Sequence, residues 1–336
     1  MPVPGQRTRT ESTPVKSIES IYWVFTHNCN LRCAHCYNDS RPGAPTITRA
    51  EADAVLSHLP DDANRFILSG GEPLVELDLL LHLVTAGRAK YPPARINVQT
   101  NGDLLDRSTL EALIEAGVDS FAIASYDQFH PRPAGKFEGL RELFAAAGVV
   151  ERPLGDPANQ RPGGPDQREV SYNIWGASPE LWVGGIWPRG RAMKYGLAQL
   201  IPETNFCDRW SGALGFLDEG SSQQEVSIQL TTAYPCCPGT VEPLGDLAEE
   251  SLASMLDRHR DDPMWAALNR GDPASMGVHA GFDRAAALDR IEALGSVCLW
   301  CDEYMTARVR ERGERAEELP VQGERRVIPL ESIAGR

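Results

Sequence analysis

Hydrophobic and polar positions in the first half of the chain follow two alternating patterns. Short runs of aromatic and β-branched residues are typical of buried strands, and the stretches between them have the apolar spacing of amphipathic helices. The predicted strands are residues 21–26, 65–69, 95–100, 120–125 and 169–175. The predicted helices are residues 48–59, 75–90, 108–117 and 137–147. Repeated strand–helix units predict an α/β fold with a parallel sheet, either a barrel or a doubly wound sheet.

Local signals mark the ends of these elements. Thr48 and Ser108 each stand three residues before a Glu, which is the spacing of a capping box and predicts that a helix begins at each. Gly117 is expected to end the second of these helices. Residues 151–168 are rich in Pro and Gly and poor in apolar residues, so we expect a surface loop or lid there.

Composition and charge limit the partners and the cellular location to be expected of this protein. The chain has 47 acidic and 33 basic residues, a net charge of −14, which argues against a partner that is a nucleic acid or an anionic membrane. There is no apolar run long enough to span a membrane and no apolar signal segment at the start. Eight cysteines in such a chain predict metal ligands or catalysts rather than disulfides, and a cytoplasmic location.

The densest cysteine cluster follows the first predicted strand. Cys29, Cys33 and Cys36 have the spacing CxxxCxxC, and Tyr37 follows the last of them. Three thiolates in one loop can bind three irons of a [4Fe–4S] cluster. Because a fourth local ligand is missing, one iron keeps the open position that catalysis requires. The alternative is a zinc loop, for which His35 lies in a poor position.

Polar turns follow the later strands. Residues 69–73 are Ser-Gly-Gly-Glu-Pro, and adjacent glycines at a strand end let the backbone approach a ligand closely, although this motif alone is also typical of an ordinary turn. Together with the cysteine loop, it resembles the radical SAM superfamily. The resemblance covers residues 20–195 and implies a partial (β/α)6 barrel, with its site at the carboxyl ends of the strands.

The same resemblance implies the ligands and their contacts. Glu72 would accept the methionyl ammonium of S-adenosylmethionine, Ser125 and Asp127 would contact its ribose and carboxylate, and Asn173 lies near the usual adenine contact. The residues implied in cofactor binding are Tyr37, Gly70, Gly71, Glu72, Pro73, Asn101, Ser125, Asp127, Asn173 and Gly176. His130 could contact substrate or act as an acid or base, and a capping or structural role is the alternative.

A second set of cysteines lies towards the C-terminus. Its members are Cys207, Cys236, Cys237, Cys298 and Cys301. A single Cys, a later Pro-Cys and a final CxxC can supply four thiolates to a closed site. This arrangement, preceded by Gly-Arg-Ala at residues 190–192, resembles the Twitch domain, the short form of the SPASM extension. The resemblance implies one auxiliary [4Fe–4S] cluster on Cys207, Cys236, Cys298 and Cys301, with a structural zinc ribbon as the alternative.

The predicted organisation has four parts. They are a flexible leader at 1–17, the radical SAM barrel at 18–200, the Twitch-like domain at 201–305, and a C-terminal helix and tail at 306–336. Of the adjacent pair, Cys236 fits the ligand position better, which leaves Cys237 as a spare thiol beside a cluster.

The resemblance implies an enzyme that makes a 5′-deoxyadenosyl radical and abstracts hydrogen from a small polar substrate, a sugar or an aminocyclitol. Cys237 as a hydrogen donor favours epimerisation, and the alternative is dehydrogenation of an alcohol through the auxiliary cluster. An external electron donor such as flavodoxin or ferredoxin is implied. A maturase of ribosomal peptides is another possibility, and the short segment before the first strand argues against it. A structural metal-binding protein is the last alternative.

Overall fold

The computed structural model describes residues 18–124, 135–153, 169–175, 186–198, 215–217, 223–236 and 239–311. Its strands are β1 (Ile18–Thr26), β2 (Ala63–Gly70), β3 (Arg95–Thr100), β4 (Ser120–Ala124), β5 (Val150–Glu151), β6 (Ser171–Trp175), β7 (Gln223–Gln229), β8 (Thr232–Tyr234) and β9 (Gly245–Asp246). Its α-helices are α1 (Arg49–His58), α2 (Leu77–Lys90), α3 (Arg107–Ala116), α4 (Lys136–Ala146), α5 (Gly190–Lys194), α6 (Leu252–His259), α7 (Pro263–Asn269), α8 (Arg284–Leu294) and α9 (Val297–Glu311). Within these ranges, every helix is too short or too polar to cross a membrane.

One sheet joins these strands in the order β5-β6-β4-β3-β2-β1-β7-β8-β9. Neighbours from β5 to β7 are parallel, and β8 and β9 are added antiparallel at one edge. Parallel strands bring their carboxyl ends to the same edge, so the loops after β1, β2 and β3 meet there. The predicted fold class, an α/β fold of the partial-barrel type, is confirmed.

The two faces of the sheet differ in polarity because successive side chains of a strand point to opposite sides. On one face, residues such as Trp23, Phe66 and Phe121 join the apolar core with the helices, and Phe121 packs 5.7 Å from Phe144 of α4 between ring centroids. The other face is largely polar. It carries Tyr22, Ser69, Asn97, Gln99, Ser120 and Asn173 on β1 to β6. The inner face of the partial barrel is therefore rich in hydrogen-bonding groups.

Most predicted elements have the expected positions, and one helix start was wrong. Thr48 caps α1 with the reciprocal capping box that its sequence predicts. In α3, however, Asp106 is the cap, since its carboxylate accepts from the backbone N–H of Thr109 at 2.8 Å. Ser108 lies within the first turn and donates to Asp106. A carboxylate two residues earlier therefore replaced the predicted capping box. Gly117 ends α3, as expected.

The residues assigned by sequence to a second domain extend the sheet of the first. β7 pairs in parallel with β1, and the indole N–H of Trp23 donates to the carbonyl of Leu230 just after β7 at 2.8 Å. Helices α6 to α9 follow and bury Trp265 and Trp300. The predicted domain boundaries stay a prediction.

A buried ion pair holds the amino ends of the strands together, at the edge opposite the cysteine loop. Arg88 of α2 donates to the carboxylate of Asp119, which precedes β4, and to the carbonyls of Ala94 and Gly117 at 2.7 and 2.8 Å. Its contacts tie α2 to the starts of β3 and β4 and have no part in the carboxyl-end loops.

Candidate cofactor site at the carboxyl ends of the strands

The first cysteine loop is closed by its own backbone. The N–H of His27 donates to the carbonyl of Pro45 at 2.7 Å, and the N–H of Arg41 donates to the carbonyl of His27 at 3.2 Å. An isolated antiparallel β-bridge also pairs Thr26 with Thr46. The loop therefore leaves and returns at the end of β1, with all three cysteines between its two ends.

Two of the three thiols accept backbone hydrogen bonds. The Sγ of Cys29 accepts from the N–H of Leu31, and the Sγ of Cys36 accepts from the N–H of Ser40, both at 3.3 Å. Burial raises the pKa of Cys29 to about 12, so a bound metal would have to displace its proton. Amide donors to sulfur are one means by which proteins adjust the reduction potential of iron–sulfur clusters.

The adjacent glycines after β2 allow two backbones to touch. A methyl group on Gly70 would lie 2.7 Å from the carbonyl oxygen of Thr26, and one on Gly71 would lie 2.4 Å from that of Asn28. The N–H of Gly71 donates to Thr26 at 2.7 Å. The two glycines thus let the end of β2 approach the backbone at the start of the cysteine loop. Their contact with a ligand stays a prediction.

Glu72 links three loops from a fully buried position. Its carboxylate accepts from the hydroxyl of Thr100 at 2.6 Å and from the backbone N–H groups of Asn101 and Leu74 at 2.7 and 3.1 Å. Its own N–H donates to the carbonyl of Asn28 at 2.9 Å. Burial raises its pKa to about 7, although the three hydrogen bonds oppose that shift. Since these donors use three of about four acceptor positions of a carboxylate, the predicted contact with an ammonium has one position left.

Other predicted cofactor residues lie around these loops. Asn101 donates from its side chain to Asn30 of the cysteine loop at 2.8 Å. Pro73 begins the 3-10 turn after Glu72. Tyr37 lies against Gly190 of α5, where a methyl group would be 2.4 Å from the Tyr37 carbonyl oxygen. The structure therefore brings these three residues to one edge of the sheet.

The inner face below these loops carries a hydrogen-bonded group that the sequence did not single out. The hydroxyl of Tyr22 lies 3.1 Å from that of Ser69 and 3.0 Å from the amide oxygen of Gln99, and Ser69 donates to the same oxygen at 3.0 Å. Ala122 and Asn173 follow Gln99 across the sheet at the same level. The side-chain oxygen of Asn173 is buried and lacks a partner among the described residues, which suits the predicted contact with an adenine amino group.

Three cysteines of the second set lie around one arginine. Arg189 interacts electrostatically with Cys236, Cys298 and Cys301, and it donates to the carboxylate of Asp302. Burial raises the pKa of Cys298, and the positive charge of Arg189 opposes that shift. In the described part of the chain, no three metal-binding side chains converge as the ligands of a single ion would.

Several predicted site residues lie outside the described residues. They are Ser125, Asp127, His130, Gly176, Cys207 and Cys237. Their predicted roles stay predictions. The sequence also missed Arg191, which contacts the cysteine loop. Its only signal was its place in the Gly-Arg-Ala segment.

The described residues fit the predicted cofactors. Cys29, Cys33 and Cys36 form no disulfide with one another and lie in a closed loop, with amide donors on two of the sulfurs. An orphaned amide oxygen faces the inner side of the sheet at Asn173. Thiolates are the ligands that iron–sulfur clusters require, so these residues are suited to hold a [4Fe–4S] cluster with S-adenosylmethionine beside it.

Curated relatives match over limited segments. Fe-coproporphyrin III synthase of Methanosarcina barkeri is 32% identical over 130 residues, which is 38% of this chain and 31% of that protein. Pre-heme d1 synthase of Dinoroseobacter shibae is 34% identical over 37% of this chain and 29% of that protein. PqqA peptide cyclase of Gluconobacter oxydans is 30% identical over 41% of this chain and 39% of its own length. The chain thus spans about a third of the length of these relatives.

Solved structures and a family model complete the comparison. BtrN in complex with AdoMet and 2-DOIA is 18% identical, with 76% of this chain and 89% of that chain covered and a TM-score of 0.48. Native anSMEcpe with bound AdoMet and the Cp18Cys peptide is 15% identical, over 73% and 81% of the two chains, with a TM-score of 0.42. The family model of the radical SAM superfamily matches residues 23–126. Those residues, which contain the cysteine loop, the Gly-Gly-Glu-Pro turn and the end of β3, are therefore a radical SAM domain.

Proposed function

We propose that this protein is an enzyme that abstracts hydrogen from a small, hydroxyl-bearing substrate, a sugar or an aminocyclitol, and so epimerises it or oxidises an alcohol. When bound, the cluster and S-adenosylmethionine supply the 5′-deoxyadenosyl radical for that step. Cys29, Cys33 and Cys36 would hold this cluster. The proposal includes an auxiliary [4Fe–4S] cluster on the second cysteine set, an external electron donor such as flavodoxin or ferredoxin, and a cytoplasmic location where thiols stay reduced.

The polar inner face of the sheet carries this proposal. The amide oxygen of Gln99 accepts from the hydroxyls of Tyr22 and Ser69, so its two N–H donors point away from them. Next to Gln99, the small side chain of Ala122 separates it from Asn173 on the same face. Uncharged donors and acceptors around a small side chain suit a substrate that presents several hydroxyl groups.

The experiment compares Gln99→Leu with wild-type protein after anaerobic reconstitution of the clusters. Panels of cyclitols, amino sugars and short peptides are tested for stimulation of 5′-deoxyadenosine formation, measured by chromatography. We expect a cyclitol or sugar to stimulate the wild type, and Gln99→Leu to weaken its apparent affinity about tenfold, through loss of an amide hydrogen bond. Cleavage without substrate should stay unchanged.

Asn64→Leu is the matched control, because this exposed amide lies at the amino end of β2, where it donates to Glu19. It should behave as wild type. Stimulation by a peptide alone would contradict the proposed substrate class and favour the maturase alternative. Equal affinity in Gln99→Leu and wild type would contradict the role of the inner face.

The fate of the substrate radical distinguishes the two proposed reactions. Epimerisation requires a hydrogen donor, and Cys237, next to Cys236 in the sequence, is the proposed thiol. In deuterium oxide an epimerase should place one deuterium on the inverted carbon, and Cys237→Ala should cleave S-adenosylmethionine without forming the epimer. A dehydrogenase would fix no solvent deuterium there, and this variant would keep its activity. Mass spectrometry of the product separates these outcomes.

A further inference from the structure

Arg191 connects the first cysteine loop to a segment 158 residues further along the chain, as counted from Cys33. We propose that Arg191 is a positioning residue of the cluster site, whose guanidinium holds the loop backbone in the conformation that presents Cys33 and Cys36 to iron. This inference rests on the radical SAM domain and on the cluster that it implies. It goes beyond the proposed function, because it applies whatever the substrate is.

Among the described residues, the hydrogen bonds that Arg191 donates go to the cysteine loop. Its Nε donates to the carbonyl of Cys33 at 2.8 Å, one Nη to the carboxylate of Asp39 at 2.7 Å, and the other Nη to the carbonyl of Ser40 at 2.6 Å. Its backbone N–H donates to the carbonyl of Cys36 at 2.9 Å. Two of the three cysteines thus have their carbonyl groups held by one residue. Arg191 is only 3% exposed, so water competes little for the donors of its guanidinium.

The local backbone is adapted to this contact. Gly190 has φ of +51°, and a methyl group there would lie 2.4 Å from the carbonyl oxygen of Tyr37 and 2.8 Å from that of Cys36. Only glycine allows the first residue of α5 to approach the loop this closely. Within the loop, Asp39 has φ of +56°, an uncommon conformation for a residue with a side chain. The ion pair with Arg191 stabilises the loop at this residue.

The shape of the guanidinium explains why arginine is suited to the position. Three acceptors at Cys33, Asp39 and Ser40 lie around one planar fork, and arginine can donate to all of them at fixed angles. A lysine ammonium is a point charge with rotatable donors and would hold at most part of this arrangement. Arg191→Lys should therefore retain the charge and lose much of the hydrogen-bond geometry.

Arg189 provides a contrast within the same segment. It lies two residues earlier and reaches the second cysteine set, donating to the carboxylate of Asp302 and to the carbonyl of Gly239 at 2.9 Å. The two arginines thus contact different cysteine sets from one turn of the chain. If the proposal is correct, loss of Arg189 should spare the first site.

The test uses full-length Arg191→Met and Arg191→Lys, with Arg88→Met and Arg189→Met as controls. Arg88, which is partly buried, likewise donates to a carboxylate and to backbone carbonyls, at the opposite edge of the sheet. After anaerobic reconstitution, iron release to a chelator is timed, and EPR spectra of the reduced protein are recorded with and without S-adenosylmethionine. Melting of each apo-protein gives its Tm.

We expect Arg191→Met to release first-site iron about 10- to 100-fold faster and to lose the spectral response to S-adenosylmethionine. Arg191→Lys should be intermediate, and both controls should keep that response. A wild-type response in Arg191→Met would overturn the proposal, as would an equal loss in Arg88→Met at an equal fall in Tm. If Arg191→Met does not fold, Asp39→Asn decides: a faster iron release supports the proposal and an unchanged one overturns it. Absence of iron from the wild type would instead contradict the radical SAM assignment.

Discussion

The two cysteine sets of this protein differ in how they are assembled. Cys29, Cys33 and Cys36 belong to one loop, whose ends are joined by backbone hydrogen bonds next to β1. In the second set, Cys236 follows β8 while Cys298 and Cys301 lie in α9, and all three interact electrostatically with Arg189. The first set therefore has its ligand spacing within one local loop, which Arg191 supports from a distant segment, whereas the second set depends on the packing of distant elements to bring its members together.

This difference has a counterpart in electrostatics. The first set has a carboxylate nearby, since the negative charge of Glu72 raises the pKa of Cys29 further after the larger effect of burial. The second set has a guanidinium in its midst, which favours thiolates. The charged groups that act on the thiols thus differ between the two sets, a carboxylate at Cys29 and a guanidinium at Cys298.

The largest expected effect comes from removing the local set. Changing Cys29, Cys33 and Cys36 together to Ala should abolish cleavage of S-adenosylmethionine and leave about half of the iron, if each set binds one [4Fe–4S] cluster. Chromatography of 5′-deoxyadenosine and a colorimetric iron assay measure both quantities. Undiminished cleavage in this variant would contradict the radical SAM mechanism.

The reciprocal change tests the assembled set. Cys298→Ala with Cys301→Ala should remove the auxiliary iron and leave the first site able to cleave S-adenosylmethionine, because the first loop is closed by its own contacts. Iron and sulfide are measured on the same preparations as the triple variant. Unchanged iron would mean that the second set holds zinc or no metal, and elemental analysis for zinc separates these two cases.

A smaller effect is expected from Glu72→Gln, which probes how the local loop is supported. A glutamine presents one oxygen to the three donors that Glu72 now satisfies, so at least one buried N–H or hydroxyl loses its acceptor. We expect the free energy of unfolding of the apo-protein to fall by about 1–3 kcal/mol, measured in urea. Glu115→Gln on the exposed side of α3 should have no effect. An equally stable Glu72→Gln would show that Glu72 does not support the loops.

The smallest expected effect concerns the pairing of β7 with β1, through which the residues assigned to the second domain join the sheet. Glu225 of β7 pairs in register with Ser20 of β1, and burial raises its pKa to about 6 from 4.5, although Arg65 and Ser20 oppose the shift. A carboxyl whose pKa is raised on folding stabilises the folded state fully below pH 4.5, and this contribution is lost as the pH rises through 6.

Between pH 4.5 and 6 the unfolding free energy of the wild-type apo-protein should therefore fall by about 1–2 kcal/mol relative to Glu225→Gln. Urea unfolding at several pH values measures this difference. Parallel pH profiles of the two proteins would mean that Glu225 does not titrate across this range on folding.

Local patterns in the sequence predicted the parts of the molecule whose geometry is local. Hydrogen bonds, or the alternation of apolar and polar residues, within a few positions determine such features. Examples are the capping box at Thr48, the strand Arg95–Thr100 and the helix end at Gly117. The error at Ser108 has the same origin, because two overlapping caps were possible there and Asp106 offers the stronger acceptor.

Only the tertiary structure decided which distant groups meet. Nothing near Glu72 in the sequence indicates that Thr100 and Asn101 donate to it, and nothing near Tyr22 indicates its contact with Gln99. Parallel strands place the ends of β1, β2 and β3 side by side although helices separate them in the chain. The sequence by itself determined the cysteine spacing, the strand–helix order and the radical SAM motif. The support of that motif by Glu72 and Arg191 was decided by packing, because buried donors and acceptors select partners by proximity in space and not by distance along the chain.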